Sequence, residues 1–394
     1  MNVILFDDDA RDHLLPLTFT RPVAEIRIGI LTIREKWEKY LKTKCSFFTE
    51  KYLSEKYPLK VSATNLLING SILPDKKLLK AILALKQNQA LVTNNYLIAC
   101  VLSSTKIEQF NPTKIVSLKT FGYSDSLTKI NFPWDIFSKN GDALNADFAL
   151  LTKGRKSAPV SATNKILGKN IFIEKGAKIE CAVLNTTTGP IYIGKDAEVM
   201  EGSIIRGPFA LCEHSVLKLG AKIYGPTTIG PYCKVGGEVN NSVIFGYSNK
   251  AHDGFLGNAV LGEWCNIGAD SNNSNLKNNY ENVKIWSYIK NGFADTGLQF
   301  CGLIMGDHSK CGINTMFNTG TVVGVSSNIY GDGFPRNFIP SFHWGGAQGF
   351  TEYKINKAIQ TAELVYARRK MLFDDTEKKI FHHLYQLTYP ENKK

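Results

Sequence analysis

Long apolar runs are missing from this 394-residue chain. None approaches the roughly 18 residues that a membrane-spanning helix needs, so no membrane role is expected. The N-terminus, MNVILFDDDARD, has no basic leader region and no apolar stretch of signal-peptide length. Paired cysteines are missing too. The eight cysteines, at 45, 100, 181, 212, 233, 265, 301 and 311, form no CxxC pair and show no zinc spacing. No metal site is expected from them, and scattered thiols of this kind fit a reducing cytoplasm. Basic blocks of five or more Lys or Arg are absent, and no RNA- or DNA-binding motif occurs, so nucleic acid is not the expected partner. The net charge is nevertheless +12. That excess fits a small anionic substrate: a sugar phosphate, a nucleotide or coenzyme A.

What the chain has in abundance is repetition. From Leu167 a large apolar residue recurs at every sixth position: Leu167, Ile173, Ile179. After an insertion, CAVLNTTTGP, the rhythm resumes at Ile193, Val199, Ile205 and Leu211, then Ile223, Ile229 and Val235. Phe255, Leu261 and Ile267 continue it, and so do Met305, Cys311, Phe317, Val323 and Ile329. This is the pattern of a left-handed parallel β-helix, a three-sided prism with one short strand and turn per face. Cys233, Cys265 and Cys311 fall on the same phase and read as small buried thiols. The break at 272–302 reads as a loop leaving the prism, and long loops in regular solenoids tend to carry function. Residues 351–386 have helical spacing and predict a C-terminal helix or helix pair.

The first 150 residues read as α/β. Strands are expected at Val3–Phe6, Asn65–Gly70, Ala90–Val92 and Leu97–Leu102, with helices at Ile30–Leu41 and Asp75–Leu85. Alternation of this kind implies a partly parallel sheet. FPWDIFSKNGDAL predicts a short helix, and LLTKGRKSAPVSATN has the composition of a linker. The expected division is an α/β domain over 1–155, a β-helix over 156–345 and a helical extension over 346–394.

One stretch, 243–276, breaks the rhythm with polar residues. Counting back by sixes from Phe255 places Asn249 where an apolar residue is due, and His252 follows three residues later. A coil of roughly eighteen residues brings His252 close to Asp270 or Ser271 in projection, with Asn266 near them. A histidine on a solenoid face with amide neighbours can serve as a general base toward an amine or hydroxyl. The competing reading is a surface histidine among turn-forming asparagines.

AHDGFLGNAVLGEWCNIGADS resembles the HLxYxGDxxxGxxxNxGAGT segment of the GlmU-like bifunctional sugar-1-phosphate nucleotidyltransferase and amino-sugar-phosphate acetyltransferase family. CGLIMGDHSKCGINTMFNTGTVVG resembles the matching segment of archaeal sugar-1-phosphate thymidylyltransferases that carry a second acetyltransferase activity. LLPLTFTRP, residues 14–22, resembles the LxPLTxxxPKPL phrase of the same nucleotidyltransferases. The resemblance implies a shortened nucleotidyltransferase-like α/β half followed by an acetyl-CoA-dependent β-helix half. It implies that His252 is the base toward a sugar amine, and that Phe255, Asn266 and Asn275 line the sugar and acetyl site. Backbone N–H groups around Gly268 and Ala269 would meet the oxyanion, and Lys310, Arg336 or Arg368-Arg369-Lys370 would meet the phosphates of CoA. A homotrimer is implied, with a sugar phosphate and acetyl-CoA as partners.

The sequence departs from the family at several points. Phe255 stands where the family has Tyr. Arg206-Gly207-Pro208, one coil early, is the available substitute for the phosphate-binding Arg. In the first half, ILFDDDARDHL replaces a glycine-rich phosphate loop, and Val23 replaces a Lys. Arg11 and Arg21 are the cations left for a nucleoside triphosphate, and Mg2+ would be required if nucleotidyl transfer is active. Weak or no nucleotidyl transfer is expected. Two other functions compete: a nucleotidyltransferase whose β-helix is only structural, and a non-catalytic sugar-nucleotide binding protein. Which sugar, base or acyl group is used is not written in the sequence.

Overall fold

The computed structural model describes residues 2–93, 96–113 and 118–389. The chain forms two compact units. The first contains residues 1–14, 20–26 and 31–132; the second contains 15–19, 27–30 and 133–394. The last five residues of the expected helical extension lie outside the described residues.

The first unit is a six-stranded mixed sheet. Its strands are β1 (Asn2–Phe6), β2 (Cys45–Phe48), β3 (Thr64–Asn69), β4 (Gln89–Val92), β5 (Leu97–Ser103) and β6 (Lys119–Gly122), in the order β2-β1-β3-β5-β4-β6. β1 runs parallel to β2 and β3, and β5 is antiparallel to both its neighbours. The central strands read as unbroken apolar runs because both faces are covered. The helices are α1 (Ala10–His13), α2 (Ile33–Leu41), α3 (Lys76–Leu83) and α4 (Ser104–Ile107). α2 begins three residues later than the apolar spacing predicts. Thr32 and Glu35 form a capping box there, which fixes the first turn. Asp75 caps α3 without a reciprocal partner, its side chain accepting from the N–H groups of Lys77 and Leu78.

The second unit opens with α5 (Pro133–Ser138) and α6 (Asn140–Thr152). Residues 27–30 belong with these helices. The Gly29 N–H donates to Asn140 Oδ1 at 2.7 Å and the Ile30 N–H to Asp147 Oδ2 at 2.8 Å. Gly29 has a φ of +71°, and a Cβ there would lie 2.6 Å from Asp147 Oδ2, so only glycine fits.

From Lys165 the chain winds into a left-handed parallel β-helix of about ten turns, as the repeats predict. The first face stacks six strands, from Lys165–Leu167 up to Phe255–Gly257. The second face stacks nine, from Ile171–Ile173 to Phe338–Ile339. The third runs from Lys178–Ile179 to Asn249–Lys250, continues through single bridges at Asn266, and resumes at Lys310–Cys311 and Asn328–Ile329. A hairpin of His343–Gly346 with Gly349–Glu352 closes its end. The break at 272–302 carries an antiparallel hairpin, Lys284–Ser287 with Gly292–Asp295. Two helices follow, α7 (Ile355–Ala367) and α8 (Asp375–Thr388). No described helix is long and apolar enough to cross a membrane.

The six-residue phase holds over most of the prism. Ile173, Ile193, Leu211, Ile229, Leu261, Met305 and Val323 all point into one apolar core. It fails at three positions. Leu167 is 40% exposed, and Ile166 faces inward in its place. Phe255 points outward, and Leu256 occupies the core. Asn249 also points outward, and the inward residue of its strand is Lys250. At Leu167 the reason is a long step, seven residues from Ile166 to Ile173; at Asn249 and Phe255 it is a short corner at Gly257-Asn258-Ala259. The step from Leu256 to Leu261 is five residues, so counting by six lands one position out.

Candidate functional site

Strand alternation puts every second residue of the third face outside. Lys234, Asn249, Asn266 and Lys310 stand in register on successive coils and form one outward row. This row is the floor of a cleft of about 500 Å³. Tyr247 and Trp264 line it, and so do Val365, Arg368 and Arg369 at the end of α7. Four cations and no carboxylate border it, which suits an anion. Asn249 Oδ1 is buried without a hydrogen-bond partner among the described residues, an acceptor left for a ligand's donor. The Lys310 ammonium donates to the His308 carbonyl at 2.7 Å. Burial pushes its pKa down to about 8.

The adjoining corner carries a column of aromatic rings. His214, Tyr232, Tyr247, Trp264 and His308 each adopt a left-handed backbone with φ between 55° and 63°. Bulky residues avoid that conformation, which Gly, Asn and Asp normally fill. Stacking offsets the cost. Tyr232 lies 4.8 Å from His214 and 5.0 Å from Tyr247, and Tyr247 lies 4.3 Å from Trp264, all near parallel. Tyr366 of α7 adds a ring 4.0 Å from Trp264. The sequence reading did not find this column. Its signal was an aromatic or histidine at one coil's spacing, from 214 to 232, then at the shorter steps to 247 and 264.

His252 sits past the end of the same strand, at the corner between the third and first faces, and it is exposed. The coil above lies close, as the repeat length predicts: the Asp270 N–H donates to the Asp253 carbonyl at 3.0 Å. Asn266 and Lys310 meet in the cleft, together with Arg368 and Arg369. Arg336 and Lys370 do not line it. Phe255 and Asn275 converge elsewhere, on either side of Gly257: a Cβ there would lie 2.5 Å from the Phe255 ring and 2.7 Å from Asn275 Nδ2. Asn275 also donates to Asn258 Oδ1 at 2.8 Å. Gly268 packs against Gly312, and its N–H already donates to the Cys311 carbonyl at 3.2 Å. It is therefore not a spare oxyanion donor, which leaves Ala269 of that pair. Arg206 lies on the first face three strands before Gly257, roughly 14 Å away at ordinary strand spacing.

In the first unit the chemistry gathers at the carboxyl ends of β1 and β3. These strands lie side by side at the point where the strand order reverses, the usual crevice of an open α/β sheet. Asp8 follows β1. It is ion-paired with Lys129 at 3.0 Å and accepts from Asn69 Nδ2 at 2.8 Å. Lys129 also lies 5.1 Å from the Tyr96 ring centroid. Sequence reasoning missed Lys129, which is far from the aspartates in the chain. Arg11 is buried and committed: it pairs with Asp7 at 2.9 Å and donates to the Arg21 carbonyl and the Tyr52 hydroxyl. Arg21 is buried as well.

Residues 3–156 match the sugar nucleotidyl transferase family. The match covers the first unit and stops short of the prism. No curated protein matches the chain. Among solved structures, AntD, an N-acyltransferase from Bacillus cereus in complex with dTDP and 3-hydroxybutyryl-CoA, is 14% identical. The alignment covers 52% of this chain and 91% of that one, with a TM-score of 0.23. The polySia-specific acetyltransferase NeuO is 14% identical over 49% of this chain and 87% of its own, with a TM-score of 0.23. A UDP-N-acetylglucosamine acyltransferase from Arabidopsis is 15% identical over 54% and 80%, with a TM-score of 0.24. Scores this low carry no argument about what this chain does.

Proposed function

We propose that the second unit is an acyl-CoA-dependent N-acyltransferase acting on an amino-sugar phosphate, with acetyl-CoA as the donor. The observation that carries this reading is the third-face cleft, with four cations and a stacked aromatic wall. Phosphates suit Lys234, Lys310, Arg368 and Arg369, while the Tyr247 and Trp264 rings, each stacked on both faces, wall the cleft without offering a free face. His252, at the end of the same face, removes a proton as the amine attacks the thioester carbonyl. The Ala269 N–H on the next coil is the donor for the oxyanion. The tetrahedral intermediate collapses with loss of the CoA thiolate, leaving an amide. Phe255, Asn275 and Asn258 form a second cluster one corner on, suited to the sugar. Arg206 and Gly268 drop out of this scheme.

The family match favours a second reading for the first unit: a sugar-1-phosphate or nucleotide held at the ends of β1 and β3. The residues present do not fit a resident Mg2+. Asp7 is paired with Arg11 and Asp8 with Lys129. Weak nucleotidyl transfer is expected from this unit, because the two carboxylates nearest the crevice are already neutralised by Arg11 and Lys129. The protein is cytoplasmic and trimeric in this reading, and the three domains expected from sequence are retained. A monomer in light scattering at micromolar concentration would count against the trimer.

A thermal-shift panel tests both readings, because a ligand that binds only the native state raises the melting temperature. Acetyl-CoA and an amino-sugar phosphate are expected to shift it, and UTP or dTTP to shift it through the first unit. No shift with acetyl-CoA would remove the acyltransferase reading.

A further inference from the structure

Lys250 is out of place by every rule of this fold. The third face sends one column of side chains into the prism: Ile179, Val199, Leu217, Val235, Lys250, then Cys311 and Ile329. Ile267 continues it on the coil above Lys250, since Asn249 bridges to Asn266. Lys250 is 1% exposed, as buried as its apolar neighbours. Enclosing an ammonium costs several kcal/mol unless its donors are met. Its partners are two backbone carbonyls: Nζ donates to His252 O at 2.5 Å and to Asp253 O at 3.1 Å. Both belong to the corner that carries the exposed His252.

The surroundings shape that corner from above and below as well. On the coil beneath, Gly236 and Gly237 are bare backbone; a Cβ on Gly237 would lie 2.8 Å from His252 O and from the Asp253 Cα. Gly254 has a φ of +108°, and a Cβ there would fall 2.2 Å from Ser271 O on the coil above. With two carbonyls drawn toward the prism axis, the side chains of His252 and Asp253 are thrown outward. An apolar residue such as Val235 or Ile267 would fill the column at least as well but would hold neither carbonyl.

We propose that Lys250 is a positioning residue, an internal ammonium whose bonds to the carbonyls of His252 and Asp253 hold the histidine corner in its working conformation. The inference rests on the reading of His252 as the base. Burial lowers the Lys250 pKa to about 8, opposed by Asp253, Asp270 and the Cys311 thiol. An ammonium buried at that cost is retained for the geometry it imposes.

The test is Lys250→Met in the full chain, an apolar replacement of similar length. Amide hydrogen exchange is read peptide by peptide, because local opening is separable from global unfolding. Exchange across 252–255 is expected to rise at least ~10-fold, with protection elsewhere on the third face and the melting temperature unchanged or higher. Acyl transfer is expected to lose ~10-fold or more in kcat with KM for acetyl-CoA unchanged, since a base misplaced by ~1 Å can cost that much. Ile267→Met, in the same column without a corner contact, is the control and should leave 252–255 protected. If Lys250→Met does not fold, Lys250→Gln, which keeps an N–H donor, is measured in the same way and should show an intermediate exchange rate. Unchanged exchange at the corner, or an increase spread over the whole prism, would overturn the proposal. The exchange readout does not depend on turnover. A wild-type protein without acyl transfer would remove the function of His252 and leave the Lys250 result standing.

Discussion

Tyr366 of α7 stacks on Trp264 of the prism with ring centroids 4.0 Å apart and planes 24° from parallel. Both rings are buried. Arg368 and Arg369 lie two and three residues beyond Tyr366, so this contact delivers two of the four cations to the cleft. Trp264→Ala is expected to destabilise the protein by ~3–5 kcal/mol, the usual cost of truncating a buried aromatic. It should also loosen α7. Denaturant titration and limited proteolysis near 368–372 check this. A stable variant with α7 still protected would show that the stack does not anchor the helix.

The two arginines are expected to act on binding. Arg368→Ala and Arg369→Ala should each raise the KM for acetyl-CoA about 10- to 100-fold, as expected for loss of one charge-assisted hydrogen bond. kcat should change little, because the groups they meet are remote from the thioester. Steady-state kinetics at two ionic strengths checks this; a kcat effect without a KM effect would place the CoA phosphates elsewhere.

The pKa of Lys250, lowered to about 8, makes a stability prediction with a definite sign. The unfolded chain holds the Lys250 proton up to about pH 10.5, whereas the folded chain gives it up near pH 8. Between those limits the unfolded state binds more protons, so this lysine's contribution to stability rises with pH, and it is lost as pH falls back to about 8. The slope is at most about 1.4 kcal/mol per pH unit for one proton. Chemical denaturation of wild type and Lys250→Met across this window should differ by that slope, with the variant flatter. Parallel curves would contradict it.

Much of this fold was legible because its repeat has one strong rule. Ile193, Leu211, Ile229, Met305 and Val323 face inward where counting by six puts them, since each full coil returns the same residue to the same face. Phe255 and Asn249 were misplaced by a single shortened corner, because a count has no way to see a missing residue. That slip hid Lys250, whose neighbour Asn249 took the blame for the polar interruption. Of the candidate site, Asn266, Lys310, Arg368 and Arg369 are legible in the sequence and share a cleft. Lys234, Tyr247 and Trp264 are not, because the cleft exists only where α7 approaches the third face. The ion pairs Asp7–Arg11 and Asp8–Lys129 were unreadable for a related reason: the partners are fixed by burial and by sheet order. Arg11, expected to meet a nucleotide, is buried against Asp7 instead.

Whether His252 is the base for acyl transfer is decided by single-turnover acylation with wild type and His252→Ala. The substrates are acetyl-CoA and an amino-sugar phosphate, with free thiol and acylated amine both quantified. His252 is exposed at a corner, so its truncation should change stability by no more than about 0.5 kcal/mol. The His252→Ala rate is expected to be lower by a factor of ~100 to 10,000, with acetyl-CoA affinity unchanged. A folded His252→Ala protein that acylates at the wild-type rate would contradict it.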